Sequence, residues 1–209
     1  MILAIDTTAE HGSLALCERD RVIEEVSIHS PDGFAHVIFS ELQALLARNH
    51  LEIGDIECFA SASGPGSFTG VRVGLTLAKG LAFATGKKVV AVSVLRALAS
   101  FGVSPFRAAL IEARRGEVYA AVYDASLRLV IPEVVTTSAD FVARLSSQPA
   151  EFIVMDTSLA SGWQPTVVAP RELAAAIGKI AATSQGELPE AIDANYVRRS
   201  DAELFWKDR

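Results

Sequence analysis

Residues 64–74, Gly-Pro-Gly-Ser-Phe-Thr-Gly-Val-Arg-Val-Gly, constrain this chain more than any other stretch, because they turn a corner and then start a helix. An apolar run, Cys58-Phe59-Ala60-Ser61-Ala62-Ser63, leads into them. Gly64 and Gly66 admit backbone angles that a Cβ blocks, and Pro65 fixes the turn between them. Ser67 is a favourable N-cap whose hydroxyl takes an orphan N–H of the next turn. The pattern predicts a tight strand-to-helix corner, which either binds a phosphate or lets two layers pack closely. Two nucleotide motifs do not fit. No glycine is followed by the P-loop sequel, and the third glycine of a dinucleotide fingerprint falls one place late, at Gly70. The acid expected about twenty residues on is missing from Lys87-Lys88-Val89-Val90-Ala91-Val92-Ser93.

The helix that follows, predicted over 68–84, is apolar or glycine at most positions, with one polar stripe of Arg72, Thr76 and Lys79. Gly70, Gly74 and Ala78 recur every four residues as a bare ridge. Each glycine costs a helix about 1 kcal/mol relative to alanine, so the ridge needs a packing reason. That reason is burial within its own domain or a close approach by another subunit. A second helix is predicted over 34–48, with Phe34, Ile38, Leu42 and Leu45 on one stripe and Ala35, Phe39 and Leu46 extending it. Two helices apolar beyond what one sheet can bury suggest a subunit interface.

Composition excludes several classes. Half of the 209 residues are hydrophobic, enough for a substantial core in one domain or two small ones. Two cysteines, Cys17 and Cys58, fit a reduced compartment better than a disulfide framework. The apolar start lacks a basic region and is interrupted by Asp6, so it does not read as a signal peptide. The most apolar stretch, 73–84, is too short and interrupted to span a bilayer. A formal charge of −6 argues against independent nucleic-acid binding. A cytoplasmic protein without a membrane partner is expected.

The order of elements points to a fold. Strands are expected at 1–6, 12–17 and 22–28 as a meander, then the helix at 34–48, a strand near 56–63, the helix at 68–84, a strand near 88–92 and a short helix over 93–101. This is the order of the ribonuclease-H-like fold. After a linker at Gly102-Val103-Ser104-Pro105, strands at 107–112, 117–124 and 127–131 restart the pattern, followed by a helix capped by Ser138, a strand at 152–156 and a helix from Pro170. Ile5-Asp6 followed by Gly12 is echoed by Ile111-Glu112 followed by Gly116. A weak repeat of this kind suggests a duplicated, two-lobe, actin-like α/β architecture. The lobes are expected at 1–103 and 104–196, the second smaller, with 197–209 packing back on the first.

Met1-Ile-Leu-Ala-Ile-Asp6-Thr7, the uninterrupted 64–74 stretch, Arg114-Arg115-Gly116-Glu117-Val118-Tyr119 and Tyr196-Val197-Arg198-Arg199 together resemble the TsaB (YeaZ) family over essentially the whole chain. The resemblance implies a non-catalytic subunit of the bacterial machinery that forms threonylcarbamoyladenosine beside the anticodon of tRNA. It implies pairing with the catalytic paralogue TsaD through the two first-lobe helices, so that Phe34, Ile38, Phe39, Leu42, Gly70, Arg72, Gly74, Thr76, Ala78 and Lys79 form the partner surface. The same surface is expected to make a homodimer when TsaD is absent. The ATPase TsaE is implied as a third partner, with tRNA met only through the complex. Glu112 stands where the family often has Asp, and Ala194 replaces a common Pro.

The chemistry inventory fits a subunit with no catalytic residues and no metal of its own. His11, His29, His36 and His50 include no pair at helical chelate spacing, and no Gly-x-Ser-x-Gly elbow occurs. Asp6-Thr7-Thr8 is the most interesting polar site. In actin-like ATPases an acid there orients Mg²⁺ and water, although Asp also ties down its own turn through backbone N–H groups. The matching loop reads Glu112-Ala113-Arg114-Arg115-Gly116, and no Gly-Gly pair occurs. A vestigial nucleotide site at Asp6, Thr7 and Thr8, with ATP or ADP shared at the partner interface, is one expectation. A stand-alone actin-like ATP-dependent phosphotransferase is the competing one.

Overall fold

The computed structural model describes residues 1–145, 149–160 and 162–198. They form two compact units, Met1–Ala97 with Pro170–Ala194, and the described residues of Leu98–Ala169 with 195–198. In the first unit β1 (Ile2–Asp6), β2 (His11–Glu18) and β3 (Arg21–His29) make an antiparallel meander. A 3-10 turn (Phe34–His36) leads to α1 (Ile38–Arg48), so the single helix expected over 34–48 is broken at Val37. Next come β4 (Cys58–Ala62), α2 (Phe68–Thr85), β5 (Lys88–Val92) and α3 (Val94–Ala99). The sheet order is β3-β2-β1-β4-β5, with β4 and β5 parallel to β1.

The second unit repeats this order. β6 (Phe106–Glu112), β7 (Glu117–Asp124) and β8 (Leu129–Thr137) form the meander, and α4 (Ser138–Arg144) leads to β9 (Glu151–Val154) and β10 (Thr166–Val168). Its sheet runs β10-β9-β6-β7-β8, with β9 parallel to β6. The duplicated α/β design is therefore present, and the Asp6/Glu112 echo falls at equivalent strand ends. In detail β8 is longer than expected, β10 was not anticipated, and the cap of α4 is Thr137, whose hydroxyl accepts from the Asp140 N–H.

The lobe boundaries need correction. The last helix, α5 (Ala174–Ala182), packs across β1, β2 and β4 of the first unit rather than on the second. The strands explain why. Leu3, Ile5, Leu14 and Leu16 point to one face and join a core with Phe34, Ile38, Leu42, Leu45, Val71 and Leu75 from the α1 and α2 side. The alternate residues Ala4, Ala15 and Cys17 are small, fully buried, and face the other way. A sheet buried on both faces needs a second cover, and the alanine-rich α5 lies close enough to supply it. A Cβ added to Gly178 would stand 2.5 Å from Cys17 Sγ and 3.4 Å from Ala4 Cβ. The segment also ties in at its start, where the Ala174 N–H donates to Ser13 Oγ (2.9 Å) and the Ala175 N–H to Glu25 (2.9 Å). The boundary expected at residue 103 falls instead inside α3, after Ala97. Of the 197–209 segment, Val197 and Arg198 go with the second unit, where Arg198 pairs with Glu117, and 199–209 lie outside the described residues.

Candidate functional site

The corner after β4 is built as its sequence suggests, and it is filled by the chain itself. Gly64 sits in the left-handed region at φ 100°, and its carbonyl accepts from the Val94 N–H at 2.8 Å. Ser67 caps α2, its hydroxyl accepting from the Gly70 N–H at 3.3 Å. The Ser67 N–H donates to the Thr8 carbonyl at 2.7 Å, and the Thr7 hydroxyl donates to the Gly70 carbonyl at 2.7 Å. Two groups that a phosphate would use, the Ser67 and Gly70 amides, are thus already bonded.

The glycine ridge has the same destination. A Cβ on Gly66 would come within 2.6 Å of the Thr8 carbonyl oxygen, and one on Gly70 within 1.9 Å of the Thr7 carbonyl oxygen. One on Gly74 would meet Thr7 Oγ1 at 2.6 Å and Ser61 Oγ at 3.0 Å. Glycine every fourth residue lets α2 lie against the backbone of the turn after β1. Of the ten residues expected on a partner surface, Phe34, Ile38, Leu42, Gly70, Gly74 and Ala78 are accordingly buried in their own unit. Periodicity identified the ridge correctly but not the direction it faces.

Asp6, Thr7 and Thr8 are all buried. Asp6 Oδ1 accepts from the Thr8 N–H (2.9 Å) and the Thr8 hydroxyl (2.7 Å), so the carboxylate organises its own turn. Burial pushes its carboxyl above the ordinary aspartate range, the Thr8 hydroxyl and amide pull it back, and Glu25 adds a smaller upward push. The equivalent strand end is different. Glu112 is exposed, and Arg114, Arg115 and Gly116 follow at φ 64°, 56° and 76° in a tight hairpin closed by the Glu117 N–H on the Arg114 carbonyl.

The outward side of the two helices remains. Phe39, Arg72 and Thr76 are exposed, while Lys79 is half-buried and donates to the Ile192 carbonyl at 2.9 Å. Two aromatics missed by the sequence reading flank that stripe on α2, Phe68 and Phe83, at 49% and 80% exposure, with Phe39 at 59%. The Arg72 guanidinium lies 3.4 Å from the Phe68 ring centroid, a cation–π contact that presents both groups at the start of the helix. Positions 68, 72, 76 and 83 share one side at helical spacing, so the signal was available in the sequence. Among the described residues no helix is long and apolar enough to cross a membrane.

A family model described as TsaD, tRNA N6-adenosine threonylcarbamoyltransferase, matches residues 31–191. A Bacillus subtilis protein named "tRNA threonylcarbamoyladenosine biosynthesis protein TsaB" is 35% identical over 169 residues, 76% of this chain and 72% of that one. The chain belongs to the TsaB (YeaZ) family. An Escherichia coli protein of the same name is 38% identical over 127 residues, and the match spans 58% of this chain and 54% of that relative. The solved structure of YeaZ from Pseudomonas aeruginosa superposes with a TM-score of 0.80 at 25% identity, covering 93% of this chain and 98% of that one. The two-lobe actin-like fold expected from the order of elements is thereby the fold of this TsaB-family chain.

Proposed function

We propose that this chain is a non-catalytic subunit in the formation of threonylcarbamoyladenosine beside the anticodon of tRNA, and that it binds and activates the TsaD threonylcarbamoyltransferase. The names carried by its relatives support the pathway. The observation that carries the subunit reading is the outward stripe of Phe68, Arg72, Thr76 and Phe83 on α2, with Phe39 on α1. Exposed aromatics with an arginine stacked between solvent and ring are the residue types that dominate protein interfaces. A helix with a filled inner face has no structural use for Phe83 at the surface.

The turn after β1 supports reading the chain as one without independent activity. Asp6 is engaged with Thr8, and the amides of the corner are bonded to the chain itself. Any ATP or ADP is held together with the partner. TsaE joins the same assembly, tRNA is met through it, and the α2 stripe closes a homodimer when TsaD is absent.

Purified chain and TsaD, assayed separately and together for threonylcarbamoyl transfer and ATP turnover, test this reading. Transfer is expected only in the mixture. Phe83→Asp should weaken TsaD binding by at least about tenfold with an unchanged melting temperature. Robust ATP turnover by the chain alone, lost on Asp6→Ala, would replace the subunit with a stand-alone phosphotransferase.

A further inference from the structure

We propose that His11 and His29 form a two-histidine site for a divalent transition-metal ion at the end of the first sheet. The two residues are directly opposed in the β2–β3 ladder. Their rings stack with centroids 4.3 Å apart and planes 24° apart. His29 is exposed and His11 half-exposed, so an ion reaches them from solvent. Nitrogens that bind one Zn²⁺ each lie about 2.0–2.1 Å from it, hence roughly 3–4 Å from one another. Stacked rings hold their in-plane lone pairs side by side, so rotation of both rings about their side-chain bonds is what turns one nitrogen of each toward a common ion.

The surroundings favour a cation. His11 and His29 continue the strand face that carries Ser13 and Ser27, where the Ser27 hydroxyl donates to the Glu172 carboxylate at 2.8 Å. Two residues along a strand is about 7 Å, so Glu172 adds negative charge beside the pair. Arg171, next to it in sequence, is the opposing charge on that segment, while Glu10 and Asp32 flank the two strand ends. No third His, Cys, Asp or Glu completes a cluster among the described residues, so water fills the remaining coordination positions. The ion would pin the edge strand β3 to β2 beside the turn that holds Asp6.

The pairing depends on one irregularity. Near the hairpin Cys17 faces Val22 and Glu18 faces Arg21, a register that would set His11 against Ile28. A bulge between Leu16 and Cys17 shifts the ladder by one residue and brings His29 opposite instead. A shift of one reverses which face a side chain occupies, so the bulge creates the histidine pair.

The test uses the untagged full chain with Ni²⁺ or Zn²⁺ alone. Calorimetry should find one ion per chain, and saturating metal should raise the melting temperature by about 2–4 °C. Both effects should vanish in His11→Ala and in His29→Ala, persist in His36→Ala and His50→Ala, and shrink at mildly acidic pH, because imidazole binds metal only when neutral. The metal-free melt of each variant reports whether it folds. His29→Gln, which keeps size and polarity, must also lose the ion. No binding to the parent chain, or binding that survives any of the three changes at 11 or 29, overturns the site.

Discussion

The two sheets have the same strand order, yet among the described residues the first alone keeps a long helix between its fourth and fifth strands. There α2 separates β4 from β5, whereas the described residues between β9 and β10 carry a 3-10 turn at Thr157–Ala160 and no α-helix. The strand ends diverge with it. Beside α2 the turn after β1 is drawn into a buried network of Asp6, Thr7 and Thr8. In the second unit the same connection collapses to a hairpin of three left-handed residues, with Glu112 left in solvent. Duplication thus preserves sheet order easily, because the order is fixed by apolar strands. The shape of a loop follows from what leans on it.

The sharpest way to break that comparison is at the glycines. Gly70→Ala sets a methyl group 1.9 Å from a backbone oxygen that cannot move alone. A loss of about 3 kcal/mol is expected in chemical denaturation, at the upper end for overpacking. Gly74→Leu should lower the melting temperature in the same sense, since its contacts are Thr7 and Ser61 of its own unit. Gly116→Ala meets nothing within 4 Å and bears only a left-handed backbone, worth about 1 kcal/mol. Equal losses at 70 and 116 would show that α2 does not shape its turn.

A second comparison lies at the opposite corner of each sheet. Glu151, buried at the start of β9, accepts from the N–H groups of Val103 (2.7 Å) and Ser104 (3.1 Å). At the matching corner of the first sheet, Glu57 pairs with the Met1 ammonium in solvent. Glu151→Ala should destabilise by about 2 kcal/mol, because it strands two amides. Glu57→Ala should leave the melt almost unchanged. A reversed ranking would mean that the segment leading into β6 needs no carboxylate.

The smallest effect concerns proton linkage at Asp6. Its folded carboxyl is held above the ordinary aspartate range chiefly by burial. The neutral form is therefore the better fit, and its contribution is fully present below the ordinary value and lost as pH rises through the raised one. Asp6→Asn keeps an acceptor for Thr8 and abolishes this dependence. The variant should gain on the parent as pH rises from acidic to neutral, measured as the difference between their denaturation midpoints. Glu112→Gln, at the exposed equivalent position, is the control. A parent that gains on Asp6→Asn as pH rises would reverse the sign and sink the assignment.

Much of this was legible in the residues, and the misses share a cause. The meander, the Ser67 cap and the turn-forming role of Asp6 follow from local chemistry and need no tertiary knowledge. The direction of the glycine ridge does not: on a helix apolar nearly all round, Gly70 and Gly74 read the same whether they face Thr7 or a partner. Placement of α5 was partly readable, since Ala4, Ala15 and Cys17 are small where their strand neighbours are large. That alternation asks for a closely packed second cover, but it does not say which later helix supplies it. The histidine pair was hidden further, because its register depends on a bulge that no composition pattern marks.

The return of Pro170–Ala194 to the first unit has a consequence for synthesis on the ribosome. The first five strands emerge early, but the face carrying Ala4, Ala15 and Cys17 stays uncovered until α5 has left the exit tunnel. The intervening unit is made in that interval. Translation at 5–20 residues per second leaves that apolar face open for roughly several seconds, a window in which a chaperone has something to hold. Removing the chain after Ala169 would make that temporary exposure permanent.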